Sequence, residues 1–121
     1  MKHTIQFDED HQLLVQTING NITTEDAKRF GQLYNQLLDG KQYRQLIVNL
    51  RTSSKMETRE TRSITNDMFN NAKLTEVVFV GANAAQRMIA KVLMKLGSLK
   101  AEANYVKEME DAYNWIEKKR N

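Results

Sequence analysis

Five consecutive residues, Leu46-Ile47-Val48-Asn49-Leu50, form an apolar run with polar neighbours on both sides. A run this short and this rich in branched side chains predicts a strand buried on both faces, as inside a parallel sheet. Directly after it the chain is crowded with hydroxyls and charges: Arg51, Thr52, Ser53, Ser54, Lys55, then Glu57, Thr58, Arg59, Glu60, Thr61 and Arg62. In open α/β sheets ligands and switches sit just past the carboxyl ends of strands, where helix N-termini collect partial positive charge. Residues 51–62 are therefore the first place to look for a functional site.

The rest of the chain supplies the partners of that strand. Thr4-Ile5-Gln6-Phe7 alternates polar and apolar, and Leu13 to Ile18 is strand-like, so the two predict an antiparallel hairpin turned by Asp8 to His11. Asn19-Gly20-Asn21 is then expected to break the strand. Thr23 and Thr24 are N-cap candidates for a first helix, with Glu25 and Asp26 favourable in its first turn. Ala27, Phe30, Tyr34 and Leu37, widened by Leu33 and Leu38, make its apolar face, and Gly40 is placed as its left-handed C′ residue.

A second helix is expected to end near Asn71, with Ile64, Met68 and Ala72 on one face. Glu76-Val77-Val78-Phe79-Val80 reads as a strand stopped by Gly81. A third helix carries Ala85, Met88, Ile89, Val92, Leu93 and Leu96 on its apolar side and stops at Gly97. Ala103 to Val106 is a last strand, and Glu110 to Lys118 a closing helix anchored by Ala112, Tyr113, Trp115 and Ile116. The order β-β-α-β-α-β-α-β-α predicts α/β class: a mixed, mostly parallel five-stranded sheet with four helices and right-handed crossovers, one domain over residues 1–121.

Where the second helix begins decides what the hydroxyls can do. Ser54-Lys55-Met56-Glu57 fits a capping box, with Ser54 as N-cap and Glu57 reaching back to its backbone. That register, the favoured one, starts the helix at Lys55 and leaves Thr58 a full turn inside. The alternative starts it near Thr58, with Arg51 to Glu57 as a loop. A phosphate at a helix N-terminus meets free N–H groups and a favourable dipole; inside the helix it meets neither and crowds Glu57 and Glu60.

Bulk properties narrow the function classes. Hydrophobic content of 40% and charged content of 27% are those of an ordinary globular protein. With no cysteine there is no disulfide framework or thiolate site, and no apolar run approaches the ~20 residues needed to span a bilayer. A cytoplasmic location is the expectation. There is no glycine-rich phosphate loop, nucleophile elbow or paired-histidine zinc motif, so no enzyme and no cofactor is expected. His3 and His11, with Asp8 and Asp10, are close enough in sequence to approach across the hairpin, yet lack a metal-ligand spacing. Met88, Met94 and Met109 read as core filler.

The net charge of +3 is uneven: residues 1–50 hold five basic and six acidic side chains, residues 51–121 thirteen and nine. Arg87, Lys91 and Lys95 fall at four-residue steps on the third helix, with Lys100 beyond, and no acidic residue lies between Glu76 and Glu102. Such a row suits anionic lipid, phosphate or an acidic partner, or is simply a solvated face.

Three stretches carry a resemblance: Asn19-Gly20-Asn21-Ile22-Thr23 before the first helix, Val48-Asn49-Leu50-Arg51 ending the central strand, and Val77-Val78-Phe79-Val80-Gly81 before the third helix. Together with Glu110 to Ile116 in the closing helix, they make the chain resemble the STAS fold of anti-sigma-factor antagonists, and more closely the SpoIIAA-like (STAS/SEC14-type) domains. In the antagonists an Asp-Ser-Ser-Gly segment opens the helix after the central strand and carries a regulatory serine. Laid on this chain without gaps, the strand's Asp corresponds to Asn49, the helix-opening Asp to Glu57 and the phosphorylated serine to Thr58. Arg59 and Glu60 replace the small Ser-Gly pair.

The expected function is a non-catalytic regulatory interaction module. Thr58, then Ser54 and Ser53, are the phosphorylation candidates, and Arg51, Glu57, Arg59 and Arg62 the partner-binding residues. The resemblance implies a kinase-like or sigma-regulatory protein as partner. The alternative is a lipid or small apolar ligand carrier that docks on anionic membranes through Arg87, Lys91 and Lys95. Nucleic acid has only the pI of about 9.2 in its favour.

Overall fold

The central strand is present and runs far past the apolar pentapeptide. In a computed structural model describing residues 1–56, 58–95 and 98–121, with the side chain of Ser54 also left undescribed, β3 spans Gln45–Met56. The other elements are β1 (Thr4–Asp8), β2 (Leu13–Ile22), α1 (Thr24–Leu38), α2 (Arg59–Asn71), β4 (Glu76–Val80), α3 (Ala84–Lys95), β5 (Glu102–Val106) and α4 (Met109–Arg120). The predicted element order holds throughout. The five strands form one sheet in the order β1-β2-β3-β4-β5. β1 is antiparallel to β2 and the remaining pairs are parallel.

Alternation along β3 explains why it must be covered twice. Leu46, Val48 and Leu50 join the large core that Phe30, Tyr34 and Leu38 of α1, Phe69 of α2 and Leu93 of α3 close from one side. Ile47 points the other way and packs with Val78 and Val80 against Ala112 and Ile116 of α4. Burying such a side chain stabilises by roughly 1.5–3 kcal/mol, so both layers are strongly specified. Trp115, expected to pin α4, is half-buried beside Ala112 and Ile116, which are fully buried.

The expected break at Asn19-Gly20-Asn21 is instead an irregular continuation of β2. The register slips between Thr17 and Asn19 and again between Gly20 and Ile22, and the pairing with β3 continues to Ile22–Met56. Gly20 supplies the left-handed φ of +80° that this irregularity needs. β3 pairs with β4 only as far as Asn49–Val80. The ends of β2 and β3 therefore leave the sheet as a two-stranded arm, where the alternative reading expected a loop over residues 51–57.

The favoured start of α2 is corrected. Ser54 lies within β3 and the helix begins at Arg59, with Thr58 as N-cap in extended conformation, φ −141° and ψ 166°. Continued pairing with β2 holds residues 54–56 in the strand, and this outweighs the local capping-box signal. Glu57, the other half of that box, lies outside the described residues. In α1 the cap is Thr23, whose side chain accepts from Asp26 N–H while the Asp26 carboxylate accepts from Thr23 N–H. Gly40 follows that helix with φ +74°, as expected.

Two apolar faces are partly rotated from their expected positions, with Ala72, Ile89 and Leu93 buried as expected. The buried residues of α2 are Thr61, Thr65, Asn66 and Phe69, with Ile64 and Met68 only half-buried. In α3 they are Gln86, Ile89, Ala90 and Leu93; Ala85 and Met88 are exposed, and Val92 is half-buried. Leu96 and Gly97 lie outside the described residues. In both helices buried polar side chains occupy core-facing positions that a hydrophobic pattern does not mark.

Candidate functional site

The arm delivers the chain to the first turn of α2. Met56 is buried, and two residues later Thr58 emerges exposed. The Thr58 hydroxyl oxygen accepts the Thr61 N–H at 3.1 Å, and the Thr58 carbonyl accepts the Arg62 N–H at 3.2 Å. This oxygen thus faces the amides that the helix leaves unpaired at its N-terminus. Behind it Thr61 is fully buried, with its own hydroxyl 3.1 Å from that of Thr58 and 2.8 Å from that of Thr24. A chain of three threonine hydroxyls links the N-termini of α2 and α1.

The other candidate hydroxyl that is described points inward. Ser53 is 7% exposed, and its Oγ donates to the Gly20 carbonyl at 3.3 Å across the arm. Thr52 Oγ1 likewise reaches the Ile18 carbonyl at 2.7 Å. The Ser54 side chain is not among those described.

Three of the four partner-binding candidates are described, Arg51 on β3 and Arg59 and Arg62 on α2. Arg51 is exposed on the side of α3 and α4: its carbonyl accepts from Gln86 Nε2 at 2.8 Å, and its guanidinium lies 3.9 Å from Glu108. Arg59 is exposed in the first turn of α2. Arg62 is half-buried, and its Nε has no hydrogen-bond partner among the described residues. Glu57 lies outside them.

The basic row on α3 divides. Arg87 sets its guanidinium over the Tyr105 ring, 6.0 Å from the centroid. Lys91 and Lys95 border a surface depression with Met88 and Val92. Met88 is 61% exposed rather than core filler. Lys55, which carried no role in the sequence reading, lines an adjoining depression together with Arg62. A helical count anchored on Gln86 instead of Ala85 would have placed Met88 outside.

The two histidines are at opposite ends of the hairpin rather than near one another. Nε2 of His3, which is 4% exposed, donates to Asp26 Oδ2 at 3.1 Å, while its Nδ1 accepts the Asn19 N–H at 2.9 Å. His11, on the exposed turn, contacts Asp8 at 3.0 Å and packs against the Tyr113 ring. Burial pushes the Asp26 carboxyl upward, but the Thr23 backbone N–H and His3 more than offset this, leaving it below the usual range. At Asp8 the same opposition, burial against the His11 backbone N–H and the Tyr113 hydroxyl, has the same outcome. Among the described residues no group of three metal-ligating side chains forms.

A family model described as SpoIIAA-like matches residues 13–117. The chain belongs to the SpoIIAA-like family. The fold it shares is also seen in the solved structure of an uncharacterized protein from the DUF3478 family with a SpoIIAA-like fold, from Shewanella loihica PV-4. That protein is 15% identical, the match covers 93% of this chain and 90% of that one, and the TM-score is 0.67. At such identity the likeness is one of fold. No curated protein matches the chain. The SpoIIAA-like fold family includes anti-sigma-factor antagonists. No helix of this SpoIIAA-like domain, among the described residues, is long and apolar enough to cross a membrane.

Proposed function

We propose that this SpoIIAA-like domain is a non-catalytic regulatory module of the cytoplasm, controlled by phosphorylation of Thr58. Its protein partner, kinase-like or sigma-regulatory, docks at the end of β3 and the start of α2, around Arg51, Glu57, Arg59 and Arg62. The observation that carries this reading is the hydroxyl oxygen of the exposed residue Thr58 at the N-cap of α2, 3.1 Å from the Thr61 N–H. A phosphoryl group transferred to that oxygen from a kinase's ATP gains the helix dipole and the free first-turn amides. Arg59 and Arg62 are on the same turn to meet the new charge, against the repulsion of Glu60. Ser53 has less support, since its hydroxyl is turned onto Gly20.

The test is partner capture in the native host with the full chain. Thr58→Asp places a fixed carboxylate where the phosphate would sit, and Thr58→Ala removes the acceptor. The two variants are expected to retain different amounts of the same partner. Equal capture by both contradicts control at Thr58.

The carrier alternative has less support. The void enclosed by Gln16, Tyr34, Leu50, Phe69 and their neighbours measures about 10 Å³, roughly the room one water needs. A lipid would require the helices to part from the sheet. Native mass spectrometry of the purified protein checks this reading: a co-purifying apolar ligand would revive it.

A further inference from the structure

The outer face of α3 and the end of the arm border an open, shallow groove that the Thr58 reading does not use. Two depressions of about 240 and 360 Å³ share Met88 and Val92, so they form one strip along the helix. Met56, Ile89 and Val92 make the apolar floor, and Met88 stands out from it, 61% exposed. Met88 and the first residue, Met1, are the exposed large hydrophobics among the described residues. A contiguous apolar strip rimmed by polar groups marks an interaction surface more often than a lone exposed methionine does.

The banks are charged with one sign. Lys55 and Arg62 stand on the side of β3 and α2. Lys91 and Lys95 stand on the α3 side. Among the described residues none that lines the strip is acidic, and no ion pair engages these four cations. The buried Nε of Arg62 also lacks a hydrogen-bond acceptor. Among the described residues the strip therefore lacks two things, an apolar ridge for its floor and carboxylates for both banks.

We infer that this groove seats an acidic amphipathic helix of a protein partner. α3 is 12 residues long, about 18 Å at ~1.5 Å per residue, which matches some three turns of a docked helix. Apolar residues at three- and four-residue spacing fill the strip, and Glu or Asp on the two flanks face Lys55 and Arg62 on one side and Lys91 and Lys95 on the other. A membrane surface fits less well. Vesicle binding scales with the apolar area inserted, and here the protruding area is one methionine between cationic banks. The inference rests on the interaction-module reading only in taking the occupant to be protein, and it is independent of phosphate on Thr58.

The experiment is a titration of the isotope-labelled full chain with two synthetic helices. Both carry leucine along one face; one has glutamate on each flank and the other lysine. The acidic peptide is expected to shift the backbone signals of Lys55, Met56, Met88, Val92 and Lys95 and to bind at least tenfold more tightly than the lysine peptide. Lys91→Glu with Lys95→Glu is expected to weaken it at least tenfold, as is Met88→Asp, an exposed position whose fold is checked by circular dichroism. The labelled wild-type chain is used free of phosphate, as its intact mass confirms, which separates a failure here from a failure of the phosphorylation reading. No shift in the strip, equal binding of both peptides, or binding of phosphatidylglycerol vesicles in preference to the acidic peptide would overturn the inference.

Discussion

The hydroxyls of Thr24 and Thr61 lie 2.8 Å apart, although 37 residues separate them. This contact joins the first turns of α1 and α2, and through Thr61 it reaches the Thr58 oxygen. A path of hydroxyl contacts therefore runs from Thr58 to the start of α1.

Thr61→Val keeps the shape of the buried side chain and removes the hydroxyl link. Net hydrogen bonds of this kind contribute about 0.5–1.5 kcal/mol. A loss of about 1 kcal/mol in urea unfolding is expected. A cycle with Thr24→Val should show the two changes to be less than additive. Full additivity would mean that the contact carries no energy.

Thr58→Ala removes the N-cap of α2. Stability is expected to fall by about 1 kcal/mol, the usual cost of losing a threonine cap, with recovery in Thr58→Ser. Chemical denaturation of the three proteins checks this, and an unchanged midpoint in Thr58→Ala would contradict the observed helix start.

Tyr34 is fully buried, and its hydroxyl donates to Gln16 Oε1. Tyr34→Phe strands that buried amide, so a loss of about 1–3 kcal/mol is expected. Thermal unfolding measures it, and a wild-type midpoint would show that Gln16 finds another donor.

Tyr113 and the two aspartates give the pH dependence. Burial, and then the hydrogen bond and charge of Asp8, push the Tyr113 phenol up to about 12. Folding thus favours its neutral form. That stability is complete below the ordinary tyrosine pKa of about 10 and is lost as pH rises toward about 12. Asp8 and Asp26, held below their usual range, act in the opposite sense. Their contribution is complete above about 3.9 and is lost as pH falls through their lower folded values. Unfolding free energies at graded pH should therefore decline at both extremes, and Tyr113→Phe should flatten the alkaline limb and also weaken the acid limb, because the Tyr113 hydroxyl helps hold Asp8 low.

Element order and strand pairing were legible because short branched runs and three- to four-residue periodicity report burial directly. The arm was not. Asn19-Gly20-Asn21 has the chemistry of a break, and only the pairing of Gly20 with Ser53 and of Ile22 with Met56 shows that both strands continue. The same long-range pairing defeated the Ser54 capping box, because a local signal competed with a ladder that the local sequence cannot reveal. The buried polar positions Gln86, Thr61 and Asn66 turned two helix faces partly away from the hydrophobic pattern. Gln86 is buried because its amide accepts from Ala82 N–H and donates to the Arg51 carbonyl. These partners are fixed by the fold rather than by spacing. Thr58 itself was visible as a hydroxyl in the right segment; what its neighbours in sequence could not tell was that it caps the helix.

The most direct test is fragment-ion localisation of phosphate on the full chain isolated from its native host across growth phases. The account predicts one phosphorylated species with the group on Thr58, absent from Thr58→Ala. A chain that stays unmodified under every condition, or phosphate confined to Ser53 or Ser54, would contradict it.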